Sequence, residues 1–185
     1  NTPLRCYWCK HELSDILRAY ACKHGYQNIL DGSNLDDTHD VRPGRKAMKE
    51  GGFRSPLIEA GMDKAEVRAA ARALGLPNWD KPAMACLASR IPYGTQVNPQ
   101  NLKQVELAEA FLHELGMRQV RVRHHGSLAR IETGPGEFAP VVAAREEIAR
   151  RFKEIGFTHT SLDLGGYRQG SMNGGMREAV DQAIG

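Results

Sequence analysis

The sequence has no apolar run approaching the roughly 18 residues of a membrane span, and it has no signal peptide. From the composition of this sequence we therefore expect a cytoplasmic protein. Internal repeats and low-complexity tracts are absent as well. The formal net charge is only +3, which is too small to indicate a nucleic-acid partner.

Cysteine is also scarce, with four residues in the chain. In a cytoplasmic protein such cysteines bind metal, act in catalysis or are buried more often than they form disulfides. The rest of the composition is ordinary for a globular protein, with 41% hydrophobic and 25% charged residues. A length of 185 residues allows one well-buried domain or two small ones.

Lys81 to Thr95 concentrates turn residues and reactive side chains in a stretch without clear periodicity. Such a stretch is typical of a shaped loop, and loops carry function more often than core segments do. Cys86, Ser89 and Arg90 are its side chains with polar chemistry, so we predict the active-site centre here. The alternative is that Cys86 is a small buried hydrophobe and Arg90 a surface ion-pair partner.

Hydrophobic periodicity predicts an α/β part followed by an α+β part. Four helices are predicted, at residues 9–23, 63–75, 99–115 and 137–155. Strands are predicted at residues 28–30, 119–124, 129–132 and 158–164, and the turn at Gly126 and Ser127 should join two of them into a hairpin. The C-terminal order is therefore α-β-β-α-β. Turn residues near 94–99 place a domain boundary there, which divides the chain into residues 1–96 and 97–185.

Polar turn residues follow the predicted strand at residues 28–30, in an acidic loop from Asp31 to Asp37 that also contains Gly32 and Asn34. Ligands of α/β folds bind beyond the carboxyl ends of strands, so this loop is a second candidate site. Its aspartates could hold a magnesium ion. A solvated acidic loop that caps helices is the alternative.

The cysteine spacing indicates a metal or redox centre. Cys6 and Cys9 have the two-residue separation that lets two thiolates bind one metal or cluster iron, although a redox dithiol has the same spacing. If Cys86 joined them, three thiolates would leave one coordination position open, which suits a reactive iron–sulfur cluster. A structural zinc site would need a fourth ligand, from His11 or Cys22, and we expect Cys22 to be buried packing.

Arginines form the second constellation. Arg121 and Arg123 alternate on the predicted strand 119–124, where they should share an exposed face. With Arg90 and Arg168 they could bind a phosphorylated substrate, because the arginine fork fits phosphate. Ser89, Glu109 and Glu132 would complete such a site. The alternative is an exposed strand with charge pairs to Glu132 across the hairpin.

Five motifs in this order resemble one known family over nearly the whole chain: Asp31-Gly32-Ser33-Asn34 with Asp36-Asp37, Arg42-Pro43-Gly44, Cys86 to Gly94, Arg121-Val122-Arg123, and Leu162 to Arg168. The family is LarE, ATP-dependent sulfur transferases of the PP-loop ATP pyrophosphatase superfamily. The resemblance implies an α/β PP-loop domain with a parallel sheet, followed by a small α+β domain for substrate binding and oligomerisation. It also implies adenylation and thiolation of the carboxylates of pyridinium-3,5-biscarboxylic acid mononucleotide, on the route to the nickel-pincer nucleotide cofactor of lactate racemase.

The resemblance further implies ATP, Mg²⁺ and a 4Fe–4S cluster held by Cys6, Cys9 and Cys86. In members that sacrifice a cysteine, the thiol would stand at the position of Ala85, so this chain resembles the cluster type. Asp31, Gly32 and Asn34 match positions at the nucleotide, and Arg121 and Arg123 match phosphate-binding positions. The residues that match other active-site positions are Asp37, Ser89, Arg90, Glu109, Glu132 and Glu137, of which Glu137 stands where the family can also have aspartate.

The glycine-rich nucleotide loop of this family would lie before Asn1, and its backbone amides would bind the ATP pyrophosphate. If the protein began at Asn1, we would expect adenylation to fail. We therefore expect the full protein to contain that loop and to form a homo-oligomer acting on a small nucleotide, with no membrane or nucleic-acid partner. Two alternatives remain at this point. One is a PP-loop enzyme that thiolates tRNA, and the other is a zinc-stabilised, non-catalytic interaction module.

Overall fold

The computed structural model describes residues 1–39, 43–81 and 84–168. They form two compact units. Residues 2–39 and 43–81 make up the N-terminal unit, and residues 84–168 together with Asn1 make up the C-terminal unit. The loop that contains Cys86, which we call the thiol loop, thus belongs to the C-terminal unit. The division of the protein into domains at residues 96–97 stays a prediction. Among the described residues, no helix combines the length and apolar character that crossing a membrane requires.

The N-terminal unit is mainly helical. Its helices are α1 (Arg5–His24), α2 (Pro43–Glu50), α3 (Pro56–Glu59) and α4 (Lys64–Ala73). The predicted helix at residues 9–23 is confirmed, although it begins earlier than predicted. It ends at Gly25, whose φ of 73° is the left-handed conformation that glycine adopts most readily. Arg42 of the Arg42-Pro43-Gly44 motif lies outside the described residues.

A capping box starts α4 as its sequence predicts. The Asp63 side chain accepts from the Glu66 backbone N–H at 2.8 Å, and the Glu66 carboxylate accepts from the Asp63 N–H at 3.0 Å. The predicted strand at residues 28–30 is wrong, because this segment forms only an isolated parallel bridge between Leu30 and Arg54. A single bridge does not make a ladder.

The C-terminal unit has the predicted α-β-β-α-β order. After a short 3-10 helix (Leu87–Arg90) come α5 (Pro99–Glu114), β1 (Val120–His125) and β2 (Leu128–Thr133). A 3-10 turn (Pro135–Glu137) leads into α6 (Phe138–Ala143), which is followed by α7 (Arg145–Ile155) and β3 (His159–Leu162). The single helix predicted at residues 137–155 is therefore wrong: it is divided at Ala144, whose ψ of 12° departs from helical geometry.

The three strands form a mixed sheet in the order β1-β2-β3, which the helices make part of an α/β fold. β1 and β2 are antiparallel, with Arg121 opposite Glu132 and Arg123 opposite Arg130, and β2 and β3 are parallel. Helices α5 and α7 contribute Leu112 and Phe152 to a hydrophobic core on one sheet face. This core packs against one face of the sheet, and the side chains of Arg121, Arg123 and Glu132 lie on the other face.

The predicted exposure of Arg121 and Arg123 is wrong. Both side chains are 8% exposed, and all of β1 from Val120 to His124 is buried. The face opposite the core is covered by Ser89, whose carbonyl oxygen accepts from Arg123, and by Tyr167, whose ring lies against Arg121. Both covering residues are distant in sequence, so the alternation within the strand does not reveal them.

Candidate functional site

Cys86 lies immediately before the 3-10 helix Leu87–Arg90, in the loop predicted to be the active-site centre. Its thiol is exposed, so it is not the buried hydrophobe of the alternative interpretation. The carbonyl oxygen of Cys86 accepts from the Ser89 N–H at 2.9 Å, which closes the turn after the thiol. The predicted loop therefore presents a thiol on an ordered backbone.

Arg90 fastens this loop from inside. Its side chain is only 2% exposed and forms a bidentate ion pair with Glu109, through Nε at 2.8 Å and Nη2 at 2.9 Å. Its Nη1 donates to the carbonyl oxygens of Ala85 and Cys86, at 2.9 and 3.2 Å, and to Ser89 Oγ at 3.0 Å. The surface ion pair of the alternative interpretation is therefore wrong. Arg90 holds the backbone on both sides of the thiol residue.

Glu109 connects this loop to the sheet. Besides Arg90, its Oε1 accepts from the backbone N–H of Val122 at 2.9 Å. A buried carboxylate is stable only where donors satisfy it, and here an arginine and a backbone amide both do so. Helix α5, strand β1 and the thiol loop are consequently joined through one carboxylate.

A second buried ion pair lies beside the first. Arg123 binds Glu132 in bidentate fashion, at 3.0 and 2.9 Å, and its Nη1 donates to the Ser89 carbonyl oxygen at 2.7 Å. Arg130 adds a further donor to Glu132 at 3.0 Å. The expected charge pair to Glu132 is thus present, but it is buried. Both ion pairs reach the 3-10 helix that follows Cys86.

Arg121 completes what we call the arginine cluster, namely Arg90, Arg121 and Arg123 with Glu109 and Glu132. Its guanidinium carbon lies 5.2 Å from the centre of the Tyr167 ring, and its Nη1 donates to the Val120 carbonyl oxygen at 2.7 Å. Burial lowers the pKa of Arg121, and the positive charges of Arg90 and Arg123 lower it further. Crowded positive charge of this kind favours an anion close by.

The structure places two predicted site residues at the edge of this unit. The Glu137 carboxylate accepts from the backbone N–H groups of Arg118 and Gln119, so it holds the turn that leads into β1. Arg168 is exposed and lies close to Gly165. Tyr167 is a further neighbour of the arginine cluster, and it is not among the predicted site residues. Its position beside Arg168 in a recognised motif was the available signal.

In the N-terminal unit, the acidic loop is held by its own side chains. Asp31 Oδ1 accepts from the Ser33 N–H at 2.9 Å and from Ser55 Oγ at 2.8 Å. Asn34 is buried, and its N–H donates to Asp37 Oδ2 at 3.1 Å. Space around Gly32 is open on the side where a Cβ would stand. The predicted residues Asp31, Gly32, Asn34 and Asp37 are therefore gathered in one shaped loop, and their role in binding nucleotide or magnesium stays a prediction.

Cys6 and Cys9 lie in the first part of α1, and both are exposed. Residues three apart on a helix are surface neighbours, so the two thiols share one side of α1. Cys22 is exposed too, which makes its predicted burial wrong. Within the described part of the chain, no group of three or more His, Cys, Asp or Glu side chains is arranged to hold a metal ion. Because Cys86 belongs to the other unit, the cysteine trio stays a prediction.

These features define an α/β protein with an exposed thiol on a loop that buried arginines fasten. No family model matches the chain. It is 41% identical over 179 residues to the pyridinium-3,5-bisthiocarboxylic acid mononucleotide synthase of Lactiplantibacillus plantarum, with 97% of this chain and 65% of that protein covered. This likeness supports the resemblance to the LarE family.

Two uncharacterised proteins are similar as well. One from Synechocystis is 46% identical over 175 residues, covering 94% of this chain and 65% of the relative. The other, from Methanocaldococcus jannaschii, is 32% identical over 168 residues, covering 91% of this chain and 66% of the relative. The chain thus spans about 65% of the length of the curated relatives that it matches.

Proposed function

We propose that this protein is a LarE-type sulfur transferase of the PP-loop ATP pyrophosphatase superfamily. Its substrate would be pyridinium-3,5-biscarboxylic acid mononucleotide, whose carboxylates it adenylates with ATP and magnesium and then thiolates. The likeness to a synthase of the corresponding bisthiocarboxylic acid supports this reaction class. Sulfur transfer needs a thiol or sulfide beside a bound anionic substrate. The C-terminal unit has a thiol, that of Cys86, and arginines that could bind the anion.

The observation that carries the proposal is the joining of the Cys86 loop to the arginine cluster. Arg90 donates to the Cys86 carbonyl oxygen, and Arg123 donates to the Ser89 carbonyl oxygen. A thiol loop and a concentration of guanidinium groups are thereby fixed in one unit. Substrate phosphate bound at Arg121 and Arg123 would bring the nucleotide close to this loop, with exposed Arg168 as a further donor.

Electrostatics favour a phosphate at this place. Burial lowers the pKa of Arg121, and the positive charges of Arg90 and Arg123 lower it further, whereas a nearby anion would favour the charged guanidinium. A bound phosphate would offset that repulsion and accept charge-assisted hydrogen bonds. The carboxylates Glu109 and Glu132 form ion pairs with Arg90 and Arg123.

The reaction would proceed by two displacements. A substrate carboxylate oxygen attacks the α-phosphorus of ATP and pyrophosphate leaves, and then sulfur attacks the activated acyl carbon and AMP leaves. Asp31, Gly32, Asn34 and Asp37 would bind the nucleotide with its magnesium. Arg90 would keep the Cys86 backbone in place during both steps, while Glu137 holds the turn before β1.

The cysteines have the chemistry that an iron–sulfur cluster requires, because Cys6, Cys9 and Cys86 are all exposed thiols. These three residues would hold a 4Fe–4S cluster, which when bound supplies an iron with an open position for sulfide. The chain would contribute the thiolates of Cys6, Cys9 and Cys86 to it.

Substrate binding tests the proposal. Isothermal titration should show that the full chain binds the pyridinium biscarboxylate mononucleotide more tightly than the nucleoside without phosphate, by about tenfold or more, since a charge-assisted hydrogen bond contributes about 1.5–3 kcal/mol. Arg121→Gln should remove this difference. Arg145→Gln, a change at an exposed residue of α7, should preserve it. Equal affinity of the wild type for both compounds would contradict the proposal.

A further inference from the structure

Helix α2 and the residue that follows it, Gly51, contact α1 through glycines. A Cβ at Gly44 would lie 2.9 Å from Lys10 Cγ and 3.1 Å from the carbonyl oxygen of Cys6, and one at Gly51 would overlap the Ser14 hydroxyl. Ala47, between them, is 1% exposed. The backbone of α2 therefore lies directly against the part of α1 that carries the first cysteine. Few other residues would permit so close an approach.

A hydrogen bond joins the same two helices. The Tyr7 hydroxyl donates to Glu50 Oε2 at 2.7 Å. Tyr7 stands between Cys6 and Cys9 in sequence, so the bond fixes the turn of α1 from which both thiols project. The start and the end of α2 thus each hold the segment that contains the cysteine pair.

These contacts matter because the start of α1 lacks a side-chain cap. Leu4 occupies the N-cap position and forms no capping hydrogen bond. Helix ends without a cap fray readily, and fraying would move the two sulfurs relative to each other. Packing against α2 supplies the restraint that a serine or aspartate cap would otherwise give.

We propose that Gly44 and the Tyr7–Glu50 hydrogen bond are positioning elements that keep Cys6 and Cys9 as a preformed two-thiol ligand for a soft, thiophilic metal centre. The identity of that centre as an iron–sulfur cluster rests on the proposed function, whereas the preformed spacing of the thiols does not. Mutation of the residues that orient metal ligands typically lowers the affinity for the metal by about 10–100-fold.

A trivalent arsenical measures this spacing directly. Phenylarsine oxide condenses with two thiols, forming two As–S bonds and releasing its oxygen as water with the two thiol protons. Capture therefore requires both sulfurs at the right separation. The assay uses the reduced full chain with ATP and iron absent, and peptide mapping by mass spectrometry identifies adducts that bridge Cys6 and Cys9. Iodoacetamide, which reacts with single thiols, reports their accessibility.

Gly44→Ala should lower the rate of arsenical capture by about tenfold, with little change in iodoacetamide reactivity. Tyr7→Phe, which removes one hydroxyl without changing the packing volume, should lower it by a smaller factor. Glu50→Ala should lower the capture rate as much as Tyr7→Phe does. Glu50→Gln, which can still accept the hydrogen bond, should capture the arsenical at about the wild-type rate. Tyr20→Phe, the same change at an exposed site on α1, is the matched control.

The proposal is wrong if Gly44→Ala and Tyr7→Phe both capture the arsenical at the wild-type rate. If Gly44→Ala fails to fold by circular dichroism, the isosteric Tyr7→Phe and Glu50 variants decide the matter. Failure of substrate binding or sulfur transfer would leave these rates unaffected, so the assay distinguishes this proposal from the function on which it builds.

Discussion

The guanidinium of Arg90 donates to Glu109 and to the carbonyl oxygens of Ala85 and Cys86, with almost none of its surface exposed. Lysine could not replace it, because one ammonium group cannot form the planar fork to Glu109 and still reach the loop. Arg90 is therefore a residue that positions Cys86. Its predicted catalytic role would act through this loop geometry.

Removing Arg90 should destabilise the C-terminal unit strongly. Arg90→Met leaves the Glu109 carboxylate buried without its ion partner, a change that typically costs about 3–5 kcal/mol. Urea unfolding followed by circular dichroism should show this loss. The double variant Arg90→Met/Glu109→Leu should recover most of it, since replacing a whole buried pair by apolar residues is often neutral. A single-variant loss of less than about 1 kcal/mol, typical of surface pairs, would contradict the structure.

At the scale of elements, β1 is buried on both faces, although it carries the polar side chains of Arg121, Arg123 and His124. His124 shares this burial: it lies against the Phe157 ring, and its Nε2 is 3.1 Å from Gln104 Oε1. Burial lowers the pKa of His124. Desolvation also lowers the pKa of His125, and the positive charges of Arg130 and Arg123 lower it further.

These directions predict a pH dependence of stability. His124 binds a proton less readily in the folded chain, whereas the unfolded chain binds one near the ordinary histidine pKa of about 6.5. The unfolded state then holds more protons below that pH, so the free energy of unfolding should decrease as the pH falls from about 7.5 to about 5.5. Urea titrations across this range should show a shallower decrease for His124→Gln than for the wild type. Parallel curves would contradict a depressed pKa, and His125→Gln measures the share of the neighbouring histidine.

Sequence patterns predicted elements better than they predicted what covers them. The alternation at residues 119–124 correctly indicated β1, but it could not show that Ser89 and Tyr167 cover its second face. Likewise, the apolar periodicity of residues 137–155 indicated a helix, although a local departure at Ala144 divides it. Periodicity depends on neighbouring residues, whereas burial depends on contacts between segments far apart in the chain.

The site shows the same division. The thiol loop and the arginines were predicted from residue type, and the structure brings Ser89, Arg90, Glu109, Arg123 and Glu132 into one connected set. The sequence does not predict which of these residues pair. Arg90 and Glu109 are 19 positions apart, and the sequence offers several other carboxylates as partners for Arg90. Tyr167 is not singled out by its spacing, because it is an aromatic residue in a glycine-rich segment, and only its place in the Leu162 to Arg168 motif points to it.

At the scale of the whole molecule, the chemistry is divided between two units. The N-terminal unit carries the acidic loop and the Cys6–Cys9 pair, and the C-terminal unit carries Cys86 with the arginine cluster. The proposed cluster would take Cys6 and Cys9 from one unit and Cys86 from the other. We therefore propose that both units are needed for the reaction.

Anaerobic reconstitution of the full chain with iron and sulfide tests this claim most directly, by visible absorption and by the iron content after desalting. The wild type should bind a cluster, Cys86→Ala and Cys6→Ala should each lose most of the iron and the cluster absorption, and Cys22→Ala should behave like the wild type. Equal iron content and spectra in the wild type and Cys86→Ala would show that Cys86 is not a cluster ligand and would contradict the account.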